Sequence, residues 1–139
     1  VTEHQFLIPC TLDQLKGLNT RLTDLLHKTY KDLQESWMEE IRLIASELFV
    51  NIVRYAGLDA GEQVLIRLQM DGDQVRLWFF DRGVAWDPAT STEGVTDELR
   101  ESGYGLFLVS TLTDHFEYHR REKAEYPNQL SITKRLPHA

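Results

Sequence analysis

Over residues 36–56, apolar side chains occupy nearly the whole circumference of what their spacing predicts to be one helix. At about 100° per residue, Ile44, Leu48 and Tyr55 fall together, and Phe49, Val50 and Val53 fill much of the remainder. A helix apolar nearly all round is a buried helix, so the chain must provide a layer to bury it against. The next segment provides one. Val64, Ile66, Leu68 and Met70 alternate, Asp71-Gly72-Asp73-Gln74 has turn composition, and Val75, Leu77 and Phe79 resume the alternation, which predicts a β-hairpin. Trp78 and Phe80 on the return strand predict that both of its faces are covered.

The flanking segments extend this pattern. Residues 6–10 are apolar and interrupted by Pro9, which suits an edge strand. Thr11-Leu12-Asp13-Gln14 has the form of a capping box and predicts a helix to about Asp32; Ser36-Trp37-Met38-Glu39 has the same form, and Gly57 is placed to stop the second helix. Residues 81–102 break into Gly, Pro, Thr, Ser and acids, and loops this long inside compact domains are usually functional. Gly103-Tyr104-Gly105 is expected to open a third helix over about 106–113, and 116–119 with 130–136 to close the chain as a second hairpin. The order β-α-α-β-β-loop-α-β-β predicts an α+β fold, a two-layer sandwich with helices on one face of a mostly antiparallel mixed sheet. The 139 residues contain no repeat and no linker, so a single domain over 1–139 is expected.

Charge narrows the function classes. A formal net charge of −7 argues against a surface that tracks phosphates, and so against direct nucleic-acid binding. Cys10 is a lone cysteine, which excludes an internal disulfide and a cysteine metal site. His4, His27, His115, His119 and His138 show no metal-ligand spacing; His115 and His119 are four apart, but on a predicted strand. No apolar run approaches the roughly 20 residues of a membrane span and no signal peptide is visible, so a cytoplasmic protein without a membrane partner is expected.

Some polar residues stand out against this frame. Glu47 and Asn51 lie one turn apart on the second helix and read either as a solvent-facing polar pair or, because apolar residues fall beside them, as buried polar groups that are costly unpaired and that a ligand with a cation would partner. Asp81-Arg82-Gly83 directly follows an apolar strand. It reads either as a plain turn or as a carboxylate at the sheet's rim that accepts from a ligand donor, such as a nucleobase amino group, with Gly83 letting the backbone approach. Gly103-Tyr104-Gly105 before an apolar helix reads either as local capping or as an anion site made of free N–H groups. It is not a P-loop, since no lysine followed by Ser or Thr is present.

Taken in order, these segments resemble the N, G1 and G2 boxes of the GHKL ATPases, whose ATP-binding domain has the Bergerat fold. Ala45-Ser-Glu47-Leu-Phe-Val-Asn51-Ile-Val-Arg-Tyr55-Ala56, Phe79-Phe-Asp81-Arg-Gly83-Val-Ala85-Trp86-Asp87-Pro88 and Gly103-Tyr-Gly105-Leu-Phe-Leu108-Val109 are most similar to the anti-sigma-factor serine kinase branch. The resemblance covers nearly the whole chain and implies a role for each box. Asn51 would be the side-chain ligand of Mg²⁺, and Glu47 would act near the γ-phosphate as general base or by orienting the acceptor hydroxyl. Asp81 would accept from the adenine amino group and Gly83 would admit the base. Gly103, Gly105 and Leu106 would hold phosphates at the start of the third helix, under an ATP lid of about 84–102. Two departures from the family pattern are Ala85, where a second glycine is usual, and Tyr55, where histidine is common.

The implied function is an ATP-dependent protein-serine/threonine kinase that phosphorylates a STAS-domain anti-sigma-factor antagonist and, in another state, sequesters a sigma factor, with a homodimer expected. The alternatives are a non-catalytic ATP-binding partner switch and a histidine-kinase catalytic domain. The opening strand and helix, which complete a compact unit, argue against the last.

Overall fold

The computed structural model describes residues 1–86 and 97–137, and the backbone alone over 97–104. The elements are β1 (Thr2–Pro9), a 3-10 turn (Leu12–Gln14), α1 (Leu15–Thr29), α2 (Glu35–Tyr55), β2 (Gln63–Asp71), β3 (Gln74–Asp81), α3 (Asp97–Leu112), β4 (His115–Arg120) and β5 (Asn128–Arg135). The strands form one sheet in the order β1-β2-β3-β5-β4. Every pairing among the described residues is antiparallel, so over them the sheet is antiparallel and not mixed.

β1 is an edge strand, as expected, paired with β2 on one side only. The β2–β3 hairpin closes on Gly72 with φ +60°, the positive value that the first central residue of a type II′ turn requires. Alternation along these strands sends Phe6, Ile66, Leu77 and Ile132 to one buried face, where the helices pack. α2 runs through the middle of that layer, with Met38, Ile41, Ile44, Ala45, Leu48 and Phe49 essentially inaccessible, between α1 and α3. Gly57, at φ +70°, ends it as predicted, in the left-handed conformation that costs glycine least.

The helix starts revise two expectations. Neither capping box caps. The Thr11 hydroxyl bonds to the Asp13 carboxylate inside the 3-10 turn, and Ser36 lies within α2, which starts at Glu35 after an extended Gln34 whose carbonyl takes the N–H groups of Trp37 and Met38. The second face of β3 is covered, as expected, and the cover is arginine: Arg67 lies 5.5 Å from the Trp78 ring centre and 4.9 Å from that of Phe80, and Arg76 lies 4.4 Å from Trp78. Finally, α3 begins at Asp97, so Gly103 and Gly105 lie inside the helix and do not open it. Asp97-Glu98-Leu99-Arg100-Glu101 explains the extension, since acids suit a first turn and Leu, Arg and Glu are good helix formers.

Candidate functional site

At one end of the sheet the inner face carries a polar row across three strands. Register sets Asp81 of β3 opposite Asn128 of β5, and Asn128 opposite Arg120 of β4. Asp81 and Asn128 are 3% and 2% exposed, so each must be bonded within the protein or to a ligand. Asp81 Oδ1 accepts from Gly83 N and from Asn128 Nδ2, both at 2.8 Å. Burial raises the Asp81 carboxyl pKa, and these two bonds with the Arg120 charge pull it part of the way back.

α2 closes the site from above. Asn51 (4% exposed), Ile52, Tyr55 and Ala56 line a cavity with Asp81, Val84, Trp86, Tyr118, Asn128 and Leu130. Its volume of about 20 Å³ is room for a water and not for a purine. Trp86 narrows it, stacked 6.0 Å from Phe116 and edge-on 5.4 Å from Tyr118, with its indole nitrogen buried and unpartnered. Asn51 Nδ2 is likewise buried without a hydrogen-bond partner. A larger concavity, about 750 Å³, is an open groove along α1 that includes Lys16, Asn19 and Arg42 but none of the motif residues.

Asn51 and Asp81, thirty positions apart, thus meet in one cavity. Glu47 is not among its lining residues. It lies one turn back along α2 and abuts α3 at Gly105, where a methyl group would overlap Oε2 and lie 2.7 Å from Cδ. Burial raises the Glu47 pKa, and the charge of Arg54 opposes that shift. Gly83 is required by space: a methyl group there would overlap the Ala56 carbonyl oxygen and lie 2.6 Å from the Ala56 Cβ. The neighbouring Val84 N–H donates to that same carbonyl at 2.9 Å. Gly83 therefore lets the end of α2 touch the end of β3.

Ala85 is exposed and has no positive φ, so the absent second glycine leaves no strain. Leu106 packs half-buried against the core. Of the expected lid, Val84 and Trp86 line the cavity, 97–102 are helical in α3, and 87–96 lie outside the described residues. Gly103 and Gly105 within a helix do not present the free N–H groups of a helix start.

Sequence reasoning missed Asn128, Tyr118 and Arg120 as site residues and placed Trp86 only within the expected lid. A buried polar residue directly after Pro127 at a strand start was the available signal for Asn128, but its partner depends on strand register.

Among the described residues, no group of three or more His, Cys, Asp and Glu side chains could hold a metal, and no helix is long and apolar enough to cross a membrane. The family model for the histidine kinase-like ATPase domain matches residues 8–134. Two curated relatives are named serine-protein kinase RsbW. The one from Bacillus mycoides is 27% identical over 58% of this chain and 55% of its own length. The one from Halalkalibacterium halodurans is 28% identical over 69% of this chain and 60% of its own. The matches thus span somewhat over half of those relatives. A solved structure of the RsbU and RsbW domains of a Mycobacterium tuberculosis protein superposes with a TM-score of 0.70 at 16% identity, over 100% of this chain and 34% of that one, which supports the fold.

Proposed function

The chain belongs to the histidine kinase-like ATPase family, and from that premise we propose that it is an ATP-dependent serine-protein kinase and anti-sigma factor. Its substrate would be a serine of a STAS-domain antagonist, and its second partner a sigma factor. The observation that carries this reading is the convergence of Asn51 and Asp81 in one buried cavity, with Glu47 a turn away on the same helix. The RsbW relatives support the serine-kinase branch.

In this reading Asp81 accepts a hydrogen bond from the adenine amino group through the carboxylate oxygen that Gly83 and Asn128 leave free. A carboxylate only accepts, so the carbonyl of guanine is mismatched there. The donor set fits Mg²⁺ of the kind held largely by phosphate and water. Asn51 Oδ1 offers a single hard oxygen, the unpartnered Nδ2 of the same amide is a donor suited to a phosphate oxygen beside the ion, and no carboxylate cage surrounds it among the described residues. Asn51 would hold the ion, which when bound neutralises phosphate charge. Glu47 would orient the serine hydroxyl and accept its proton as Oγ bonds to the γ-phosphorus and the bond to the β-bridging oxygen breaks, leaving ADP. Its raised pKa makes it a stronger base than an exposed glutamate.

Glu47→Gln tests this. ATP affinity should stay near wild type while single-turnover phosphorylation of the antagonist slows by about a hundredfold to ten-thousandfold. The position of Glu47 outside the cavity favours a second reading, a non-catalytic ATP-dependent switch. Wild-type protein that binds ATP and antagonist but transfers no phosphate would establish that reading instead.

A further inference from the structure

We infer that Asn128 is a positioning residue that aims Asp81 at the nucleobase and ties base recognition to the backbone over residues 83–86. The inference rests on the proposed role of Asp81 as the base-reading group and adds the residue that sets its orientation.

The geometry is a hub. Asn128 Nδ2 donates to Asp81 Oδ1 at 2.8 Å, to Val84 O at 2.8 Å and to Gly83 O at 3.1 Å. An amide has two N–H bonds, so one of the three contacts is shared. Asn128 Oδ1 accepts from Tyr118 Oη at 2.5 Å and from Arg120 Nη1 at 2.8 Å, and Arg120 Nη1 also donates to Gly83 O at 3.1 Å. Tyr118 Oη in turn accepts from Trp86 N at 3.0 Å.

The amide's orientation is fixed at both ends. Its oxygen faces the Arg120 guanidinium, which only donates, and its nitrogen faces a carboxylate and two carbonyls, which only accept, so a flipped amide would break these bonds. Asp81 Oδ1 is consequently held by two donors, which fixes the rotation of the carboxylate about its Cβ–Cγ bond, and the other oxygen is the one with capacity for a ligand. The bonds to Gly83 O and Val84 O, with the Tyr118–Trp86 bond, hold the strand that leaves β3 against the same hub. Without Asn128, Asp81 keeps only Gly83 N, a bond local enough to rotate with it.

The test combines a measurement without nucleotide and one with it. In the unliganded protein, carbon-13 NMR of the Asp81 carboxyl should show its titration midpoint raised in Asn128→Ala, because a donor to the charged form is lost. An unchanged midpoint would overturn the positioning role. With nucleotide, wild type should prefer ATP over GTP by about tenfold to a hundredfold, and Asn128→Ala should reduce that ratio to under about threefold. Tyr118→Phe, which keeps the ring and removes only the hydroxyl, should reduce it by about threefold. In Asp81→Asn the further change Asn128→Ala should leave the ratio unaltered, since the two act through one contact. An equal loss of ATP and GTP affinity, with the ratio intact, would make Asn128 merely structural and overturn the proposal. A wild type without base preference would overturn the adenine reading of Asp81 and the selectivity role with it; the carboxyl titration then shows separately whether Asn128 holds Asp81.

Discussion

Glu47 and Asp81 both carry carboxyl groups whose protonated form is favoured by burial, and this has a measurable cost. A carboxyl with a raised folded-state pKa binds its proton more tightly folded than unfolded. Its contribution to stability is complete below the ordinary value of 4.5 for glutamate and is lost as pH rises through the folded value. Glu47→Gln removes that loss. In urea unfolding without nucleotide, the variant should gain on wild type as pH rises from below 4.5 towards 7, and be the more stable at neutral pH. An equal gap at both pH values would mean that the site does not desolvate Glu47. Asn51→Ala should behave differently. Its Nδ2 has no partner to lose, so stability should change by less than about 1 kcal/mol, while Mg²⁺-ATP affinity measured by calorimetry falls at least tenfold. Asn51 and Asp81, which the structure brings to one cavity, stood out in the sequence because each interrupts an apolar pattern, while the roles proposed for them and for Glu47 came from the family resemblance. Asn128 did not stand out, because its meaning lies in its alignment with Asp81 and Arg120 across strands, and local pattern carries no register.

Among the elements, the strands and α2 followed from alternation and from an apolar circumference, whereas the helix starts did not. Thr11 and Ser36 have the right neighbours for caps, yet tertiary packing places the first turns elsewhere. The two glycines that pack tightly separate two kinds of closeness. Gly83 meets backbone at Ala56, which cannot yield, so Gly83→Ala should cost about 1–3 kcal/mol. Gly105 meets the end of the Glu47 side chain, which can swing away. Gly105→Ala should therefore keep stability within about 1 kcal/mol, helped by alanine's helix propensity, and still slow phosphotransfer by moving the carboxylate. Thermal melts and single-turnover rates on both variants check the contrast. If phosphates are held by the N–H groups of Gly103 and Gly105, the helical turns before Gly105 must open to release them. Backbone chemical shifts over 97–104 should then move from helical towards coil values on addition of ATP.

For the molecule as a whole, the site and the opposite end of the sheet are stabilised by different means. At the far end Lys134, 8% exposed, donates to Leu112 O at 2.6 Å and pairs with Glu40 at 2.8 Å, which joins β5 to the last turn of α3 and to α2. Lys134→Met should cost about 1–3 kcal/mol in urea unfolding through the unsatisfied carbonyl and leave the ATP-to-GTP ratio unchanged. A change in that ratio would show that the two ends communicate. The setting of Trp86 has an optical consequence. The chain has three tryptophans: Trp37 is anchored through Nε1 to Arg135 O at 2.8 Å, Trp78 lies beneath Arg67 and Arg76, and only Trp86 lines the cavity. With Trp37 and Trp78 replaced by phenylalanine, the remaining emission comes from an indole at the mouth of the site, unbonded at its nitrogen. A purine arriving beside it must displace or stack on that ring, so nucleotide entry can be followed in real time by intrinsic fluorescence, without a label.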